Sequence, residues 1–320
     1  MRASLENCAE RIRAGDVRTI SRAVSAIENR APGAEEILRR LFPYTGHAYR
    51  IGVTGAPGTG KSTLVDRLAA HYRSEKKTVG IIAVDPSSPF TGGAILGDRI
   101  RMQAHATDSG IFIRSMATRG YLGGLAQTTG DTALLLDAAG KEIILIETVG
   151  VGQGEIEIVR SADCTLVVLM PGMGDDVQSL KAGLMEIGDI FVLNKSDREG
   201  AQRFEQQLIA MLQLAPERDG WMPLVVRTVA TEGKGIDELS RQIERFRRHF
   251  DQVPDRRIRE LAYWKAWLLR LLEARLIERV VGRHITESQF EELASQVAAR
   301  SMDPYAAVRE ILERAGLGDC

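Results

Sequence analysis

Three short strings hold the residues best suited to chemistry in this 320-residue chain. Gly55-Ala56-Pro57-Gly58-Thr59-Gly60-Lys61-Ser62-Thr63 follows an apolar run, Ile51–Thr54, and precedes a helical pattern containing Leu64, Val65 and Leu68. It fits G-x-x-x-x-G-K-[ST] in the strand–loop–helix setting that the pattern requires. Glycines let the backbone turn its N–H groups inward around phosphate oxygens, and the N-terminus of the following helix adds a favourable dipole. Lys61 brings a mobile positive charge to the β and γ phosphates, a catalytic role, and Ser62 offers a hydroxyl to magnesium. A glycine-rich turn that merely precedes a lysine would not need both flanks.

The second string, Asn194-Lys195-Ser196-Asp197, ends the apolar run Asp189–Leu193. An ionised Asp197 accepts hydrogen bonds from guanine N1–H and the exocyclic amine. Adenine presents an acceptor at N1 and no amine at C2, leaving a carboxylate repelled and unpaired, so such a site rejects it by several kcal/mol. Asn194 can tie neighbouring loops together, and the Lys195 stem can lie over the base. Further on, Thr228-Val229-Ala230 closes another run, where the Ala230 N–H can reach guanine O6. In isolation N-K-S-D would serve equally as a helix cap; downstream of a phosphate loop and after its own strand it points to GTP.

The third string is Glu147-Thr148-Val149-Gly150, at the end of Glu142–Ile146. It has the form of a D-x-x-G switch with Glu in place of Asp. The carboxylate can hold a magnesium-bound water, and the Gly150 N–H can contact a γ-phosphate. Gly152-Gln153-Gly154 extends a loop able to order around the triphosphate and relax after hydrolysis; Gln153 is as consistent with a solvated side chain as with one that orients water. Two further acids lie upstream. Asp85 ends the run Thr78–Val84, and its strand-end position favours a catalytic and metal-binding role over that of a turn residue. Asp98, in Gly97-Asp98-Arg99, is equally a cap or a metal ligand.

Positioning these strings requires a sheet. Ile51–Thr54, Thr78–Val84, Gly110–Arg114, Glu142–Glu147, Cys164–Met170, Asp189–Leu193 and Leu224–Val229 are near-continuously apolar, as parallel strands covered on both faces are. About seven such runs alternating with helical segments predict a doubly wound, mostly parallel α/β sheet with its ligand at the carboxyl ends. The predicted division is an N-terminal helical extension (1–43), a nucleotide-binding domain (44–252) and a C-terminal helical region (253–320). In the first, Gly15-Asp16 breaks one helix and Asp16 caps the next, where Val17, Ile20, Val24 and Ile27 recur at helical spacing. In the last, Leu261, Trp264, Leu268, Leu271, Leu272 and Ile277 share one broad face. Thr286 and Gln289 suit a capping box, and Asp303-Pro304 a cap.

Composition narrows the field. Lys+Arg 42 against Asp+Glu 43 gives a formal charge of -1, which argues against a general nucleic-acid binder. Cys8, Cys164 and Cys320 have no CxxC or Cys/His spacing, so no disulfide framework is expected. No apolar run approaches the ~20 residues of a membrane span, and no secretory core opens the chain. The expected setting is the cytoplasm.

Together these strings resemble the MeaB-type GTPases, also called ArgK or LAO/AO transport ATPases, in the wider group of the nickel-insertion and signal-recognition GTPases. The resemblance covers nearly the whole chain and rests on G-A-P-G-T-G-K-S-T, A-V-D-P-S-S, T-G-G-A-I-L-G-D-R-I-R-M, E-T-V-G-V-G-Q, P-G-M-G-D-D-V-Q-S-L-K-A-G and N-K-S-D. Gly154 and Ala94 stand where the family usually has Ser, both small-for-small changes. The resemblance implies GTP/GDP and Mg2+ as cofactors, with Ser62, Asp85, Asp98 and Glu147 about the metal. It implies a chaperone role for adenosylcobalamin-dependent methylmalonyl-CoA mutase or a related acyl-CoA mutase, gating cofactor loading and protecting the enzyme. It further implies a switch at Pro171–Lys181 and a homodimer through the C-terminal helical arm; without it, the face beginning at Leu261 would be assigned to packing on its own domain. Two other functions compete. A nickel metallochaperone needs clustered ligands, whereas His47, His71, His105, His249 and His284 are scattered. A kinase linked to amino-acid transport has little use for guanine discrimination.

Overall fold

The computed structural model describes residues 2–85, 105, 107–117, 122–148, 162–172, 185–214, 220–252 and 256–317. The chain divides into two compact units, Met1–Ile258 and Arg259–Cys320.

The first unit is built on seven strands: β1 (Tyr49–Thr54), β2 (Val79–Asp85), β3 (Ile111–Ala117), β4 (Ile143–Glu147), β5 (Cys164–Leu169), β6 (Ile190–Leu193) and β7 (Leu224–Arg227). Their order is β3-β2-β4-β1-β5-β6-β7, and every pairing between these strands is parallel. Each expected apolar run is a strand. β3 continues past Arg114 to Ala117, in register with β2 through Asp85. The polar residue does not end it because the Arg114 guanidinium is neutralised across the layer by Glu28 (Nε to Oε1 2.7 Å) and also donates to Ser25 Oγ (3.0 Å).

Alternate side chains serve opposite layers, as a period of two demands. Ile143 and Leu145 of β4 enter one core with β1, α4 (Lys61–Ser74) and α7 (Ile236–Gln252). Ile144 and Ile146 enter another, with α1 (Arg2–Arg13), α2 (Val17–Glu28), α3 (Ala34–Leu41) and α5 (Leu122–Ala138). A third packs α6 (Ala201–Gln213) on β5 and β6. The three N-terminal helices therefore cover the β3-β2-β4 half of the sheet as part of its core. Asp16 caps α2 by accepting from Thr19 N at 2.7 Å. The buried stripe of α2 is Ile20, Ala23, Val24 and Ile27; Val17, expected on it, is 50% exposed.

The second unit holds most of α8 (Arg256–Arg283), with α9 (Glu287–Ala298) and α10 (Pro304–Arg314). The Thr286–Gln289 capping box and the Asp303 cap are both formed. Among the described side chains of α8, Trp267 and Val280 are buried, whereas Leu261, Leu268, Leu272 and Ile277 of the expected face are more than half exposed.

Candidate functional site

β1 lies between β4 and β5, where the chain changes direction across the sheet, and it is at such a switch point that open α/β sheets bind ligands. The loop Gly55–Gly60 leaves the carboxyl end of β1 here. Gly55 has φ 138, and a Cβ there would lie 2.1 Å from Val168 O. Gly60 has φ 95, and its Cβ would lie 2.4 Å from Asn194 Nδ2. Both positions exclude any side chain, so the loop can be drawn tight against β5 and the end of β6. Thr59, fully buried, fixes the turn through Oγ1 to Ala56 O at 2.9 Å.

Lys61 opens α4 and is 6% exposed. Its Nζ donates back to Gly55 O (2.7 Å) and Ala56 O (3.2 Å), which holds the ammonium inside the loop. The next residue, Ser62, donates from Oγ to Glu147 Oε1 at 2.6 Å. Glu147 ends β4 and is 5% exposed, so a carboxylate from one strand and a hydroxyl from a helix N-terminus meet beside the phosphate loop. Hard oxygen donors of these two types suit Mg2+, which takes few protein ligands and keeps much of its water. The following Thr148 is anchored to β1, with N on Val53 O (3.0 Å) and Oγ1 3.1 Å from Thr54 Oγ1.

Asn194 is 2% exposed and joins three elements. Its Nδ2 donates to Thr59 O at 2.8 Å, and its Oδ1 accepts from Thr228 Oγ1 (3.1 Å) and Ala230 N (3.0 Å). The Ala230 N–H, expected to face guanine O6, is thus engaged by Asn194 in this structure. Lys195 adopts φ 55, in the left-handed region that non-glycine residues rarely enter, and its Nζ donates to Gly58 O at 2.6 Å. Ser196 N donates to Thr228 O (3.1 Å). Asp197 is exposed. Lys234, on the adjoining loop, pairs with Glu232 at 2.6 Å. That hydrogen bond and the charge of Glu232 raise its pKa, and the negative charge of Asp197 adds to the effect.

The structure therefore brings together Gly55, Ala56, Pro57, Gly58, Thr59, Gly60, Lys61, Ser62, Thr63, Glu147, Asn194, Lys195, Asp197 and Ala230 at the carboxyl edge of the sheet. Asp85 closes β2 at the same edge, opposite Ala117 of β3, and its side chain is outside the described part. Asp98, Gly150, Gln153 and most of Pro171–Lys181 also lie outside the described residues. One contributor had no signal in the sequence: Arg67, on α4, donates from Nε to Ala230 O (3.2 Å) and from Nη2 to Thr231 O (3.1 Å). An arginine within a helix has no pattern that reveals so distant a partner.

A family model described as Methylmalonyl Co-A mutase-associated GTPase MeaB matches residues 20–284. The chain belongs to the MeaB family. Its relatives include a candidate GTPase of Pyrococcus abyssi, 47% identical over 315 residues, covering 97% of this chain and 96% of the relative. The GTPase ArgK of Escherichia coli is 33% identical over 323 residues, with 97% and 96% covered. The mouse mitochondrial methylmalonic aciduria type A homolog is 31% identical over 269 residues, 83% of this chain and 65% of the relative. Among solved structures, that of an LAO/AO transport system kinase superposes with a TM-score of 0.75 at 27% identity, covering 98% of both chains. This MeaB-family chain is thus an α/β protein of the P-loop GTPase type. Among its described residues no helix is long and apolar enough to cross a membrane.

Proposed function

We propose that this MeaB-family chain binds GTP with Mg2+, hydrolyses it to GDP and phosphate, and uses the two nucleotide states to chaperone an adenosylcobalamin-dependent acyl-CoA mutase. The observation that carries the nucleotide reading is the contact of Ser62 with Glu147 at 2.6 Å beside a phosphate loop whose lysine is already positioned. Ser62 and Glu147 would hold the metal, directly or through its water, with Asp85 and Asp98 as further candidates. The ion, when bound, neutralises charge on the β and γ phosphates. Lys61 stabilises the same charge from the protein side, while backbone N–H groups of Gly58–Thr63 orient the phosphates. Asn194 holds the base loop to the phosphate loop, and Asp197 selects guanine.

The mutase comes from the family description and from the mouse relative named for methylmalonic aciduria, and methylmalonyl-CoA mutase itself is the proposed partner. The kinase in the name of the structural neighbour is the competing reading. Asp197 argues against it, since phosphoryl transfer from ATP would leave that carboxylate without a partner on the base. Calorimetric titration with GTP and with ATP, with magnesium and then with a chelator, tests the nucleotide assignment. GTP is expected to bind at least ~100-fold more tightly than ATP, in line with sites that read a base by buried hydrogen bonds. Equal affinities would overturn the assignment.

A further inference from the structure

Base and phosphate loops are joined by Lys195 Nζ on Gly58 O (2.6 Å) and by two further connections. The first of these two runs through Asn194, from Thr59 O to Ala230 N. The second runs through Arg67, which lies on the helix that begins with Lys61 and Ser62 and reaches Ala230 O and Thr231 O with two different nitrogens. The loop between these carbonyls and Gly235 is closed within itself by Val229 N on Lys234 O (3.0 Å) and Gly233 N on Ala230 O (3.2 Å). A closed loop of this kind can move as a unit unless something ties it to its surroundings.

We infer that Arg67 is a positioning residue for guanine: its forked guanidinium holds the 230–231 backbone at a fixed distance from the phosphate end, so that base and phosphates are gripped in one geometry. The inference rests on the guanine-nucleotide reading above. A guanidinium presents its donors in a rigid plane, and two carbonyls held by one plane lose freedom to shift relative to the helix. Arg67 is itself exposed, so its hydrogen bonds contribute little to the stability of the fold. Their effect falls on where the loop sits. The same loop carries the Ala230 N–H that Asn194 holds, so a displacement at Ala230 O is transmitted to the residue preceding Lys195 and Asp197.

The test uses the full chain, wild type and Arg67→Ala, with a fluorescent GDP analogue chased by unlabelled GDP and with competition by ADP. Arg67→Ala is expected to release GDP roughly tenfold faster, the scale of one partly exposed charge-assisted hydrogen bond. Affinity for ADP, which engages the phosphate loop without the base contacts, should stay near wild type, so the GDP-to-ADP preference falls by a similar factor. The melting temperature of the nucleotide-free protein should stay put. Arg67→Lys, which keeps the charge and loses the fork, should fall between the two. Equal weakening of GDP and ADP would overturn the inference, because a general loosening of the fold predicts that result. A preference for GDP that survives Arg67→Ala unchanged would overturn it while leaving the guanine reading intact. A wild-type chain with no preference for GDP over ADP would overturn both.

Discussion

Asp197 and Glu147 are both acids at strand ends, yet their surroundings assign them different work. Asp197 is exposed, whereas Glu147 is 5% exposed and already hydrogen-bonded to Ser62. Replacing Asp197 by Asn turns one acceptor into a donor, which mismatches guanine and suits xanthine, whose carbonyl stands where guanine has its amine. Asp197→Asn is therefore expected to lose GTP affinity and gain XTP affinity, each by about tenfold or more, from a mismatched hydrogen bond of ~1–3 kcal/mol. Competition of labelled GTP against XTP checks this, and an unchanged preference for GTP would reduce Asp197 to a helix cap. Glu147→Ala addresses the metal side. Because the metal engages the triphosphate most strongly, the variant is expected to hydrolyse GTP ~100-fold more slowly while binding GDP within about threefold of wild type. A wild-type rate throughout a magnesium titration would remove Glu147 from the metal's surroundings.

The elements that hold these residues were legible to different degrees. All seven strands were readable because each contains a near-continuous apolar run, and burial on both faces leaves few other compositions possible. The end of β3 was not, since Arg114 looks like a strand terminator until Glu28 of α2 is known to neutralise it. The phosphate loop and N-K-S-D were visible as strings, because close approach and base reading each demand particular residue types at fixed spacing. What the strings do not carry is the way they interlock. That Asn194 reaches Thr59, or Arg67 reaches Ala230, depends on distances between loops far apart in the chain. Asp131 on α5 was likewise unremarkable in sequence. Burial pushes its carboxyl from the ordinary 3.8 up to about 7. The unfolded chain releases that proton near pH 4 while the folded chain keeps it to about 7, so stability drains as pH rises between those values and is level above. Asp131→Asn should accordingly stabilise the protein at pH 8, by on the order of 2 kcal/mol after allowing for its partial exposure, and have little effect at pH 4. Denaturant unfolding at the two pH values decides it; equal effects at both would mean the carboxyl is not desolvated.

At the scale of the whole molecule, the second unit exposes an unusual amount of apolar side chain. Leu261, Leu268, Leu269, Leu272 and Ile277 of α8 are each 55% exposed or more. Exposed apolar side chains concentrated on one helix are characteristic of an interaction site, and the homodimer implied by the family resemblance is the proposed occupant. Leu268→Glu with Leu272→Glu, both at exposed positions, should leave the monomer folded and weaken self-association by about two orders of magnitude, from the loss of a few kcal/mol of apolar burial. Light scattering that finds the wild-type chain already monomeric would contradict this. The nucleotide site is proposed to work for a mutase. The most direct test is the steady-state hydrolysis of GTP by the purified chain, with and without purified methylmalonyl-CoA mutase, and with ATP as the control. Slow hydrolysis of GTP alone is expected, at a rate that rises as mutase is added until the complex is saturated, with no comparable turnover of ATP. Hydrolysis of ATP as fast as GTP, or a GTPase rate indifferent to the mutase at every concentration, would contradict it.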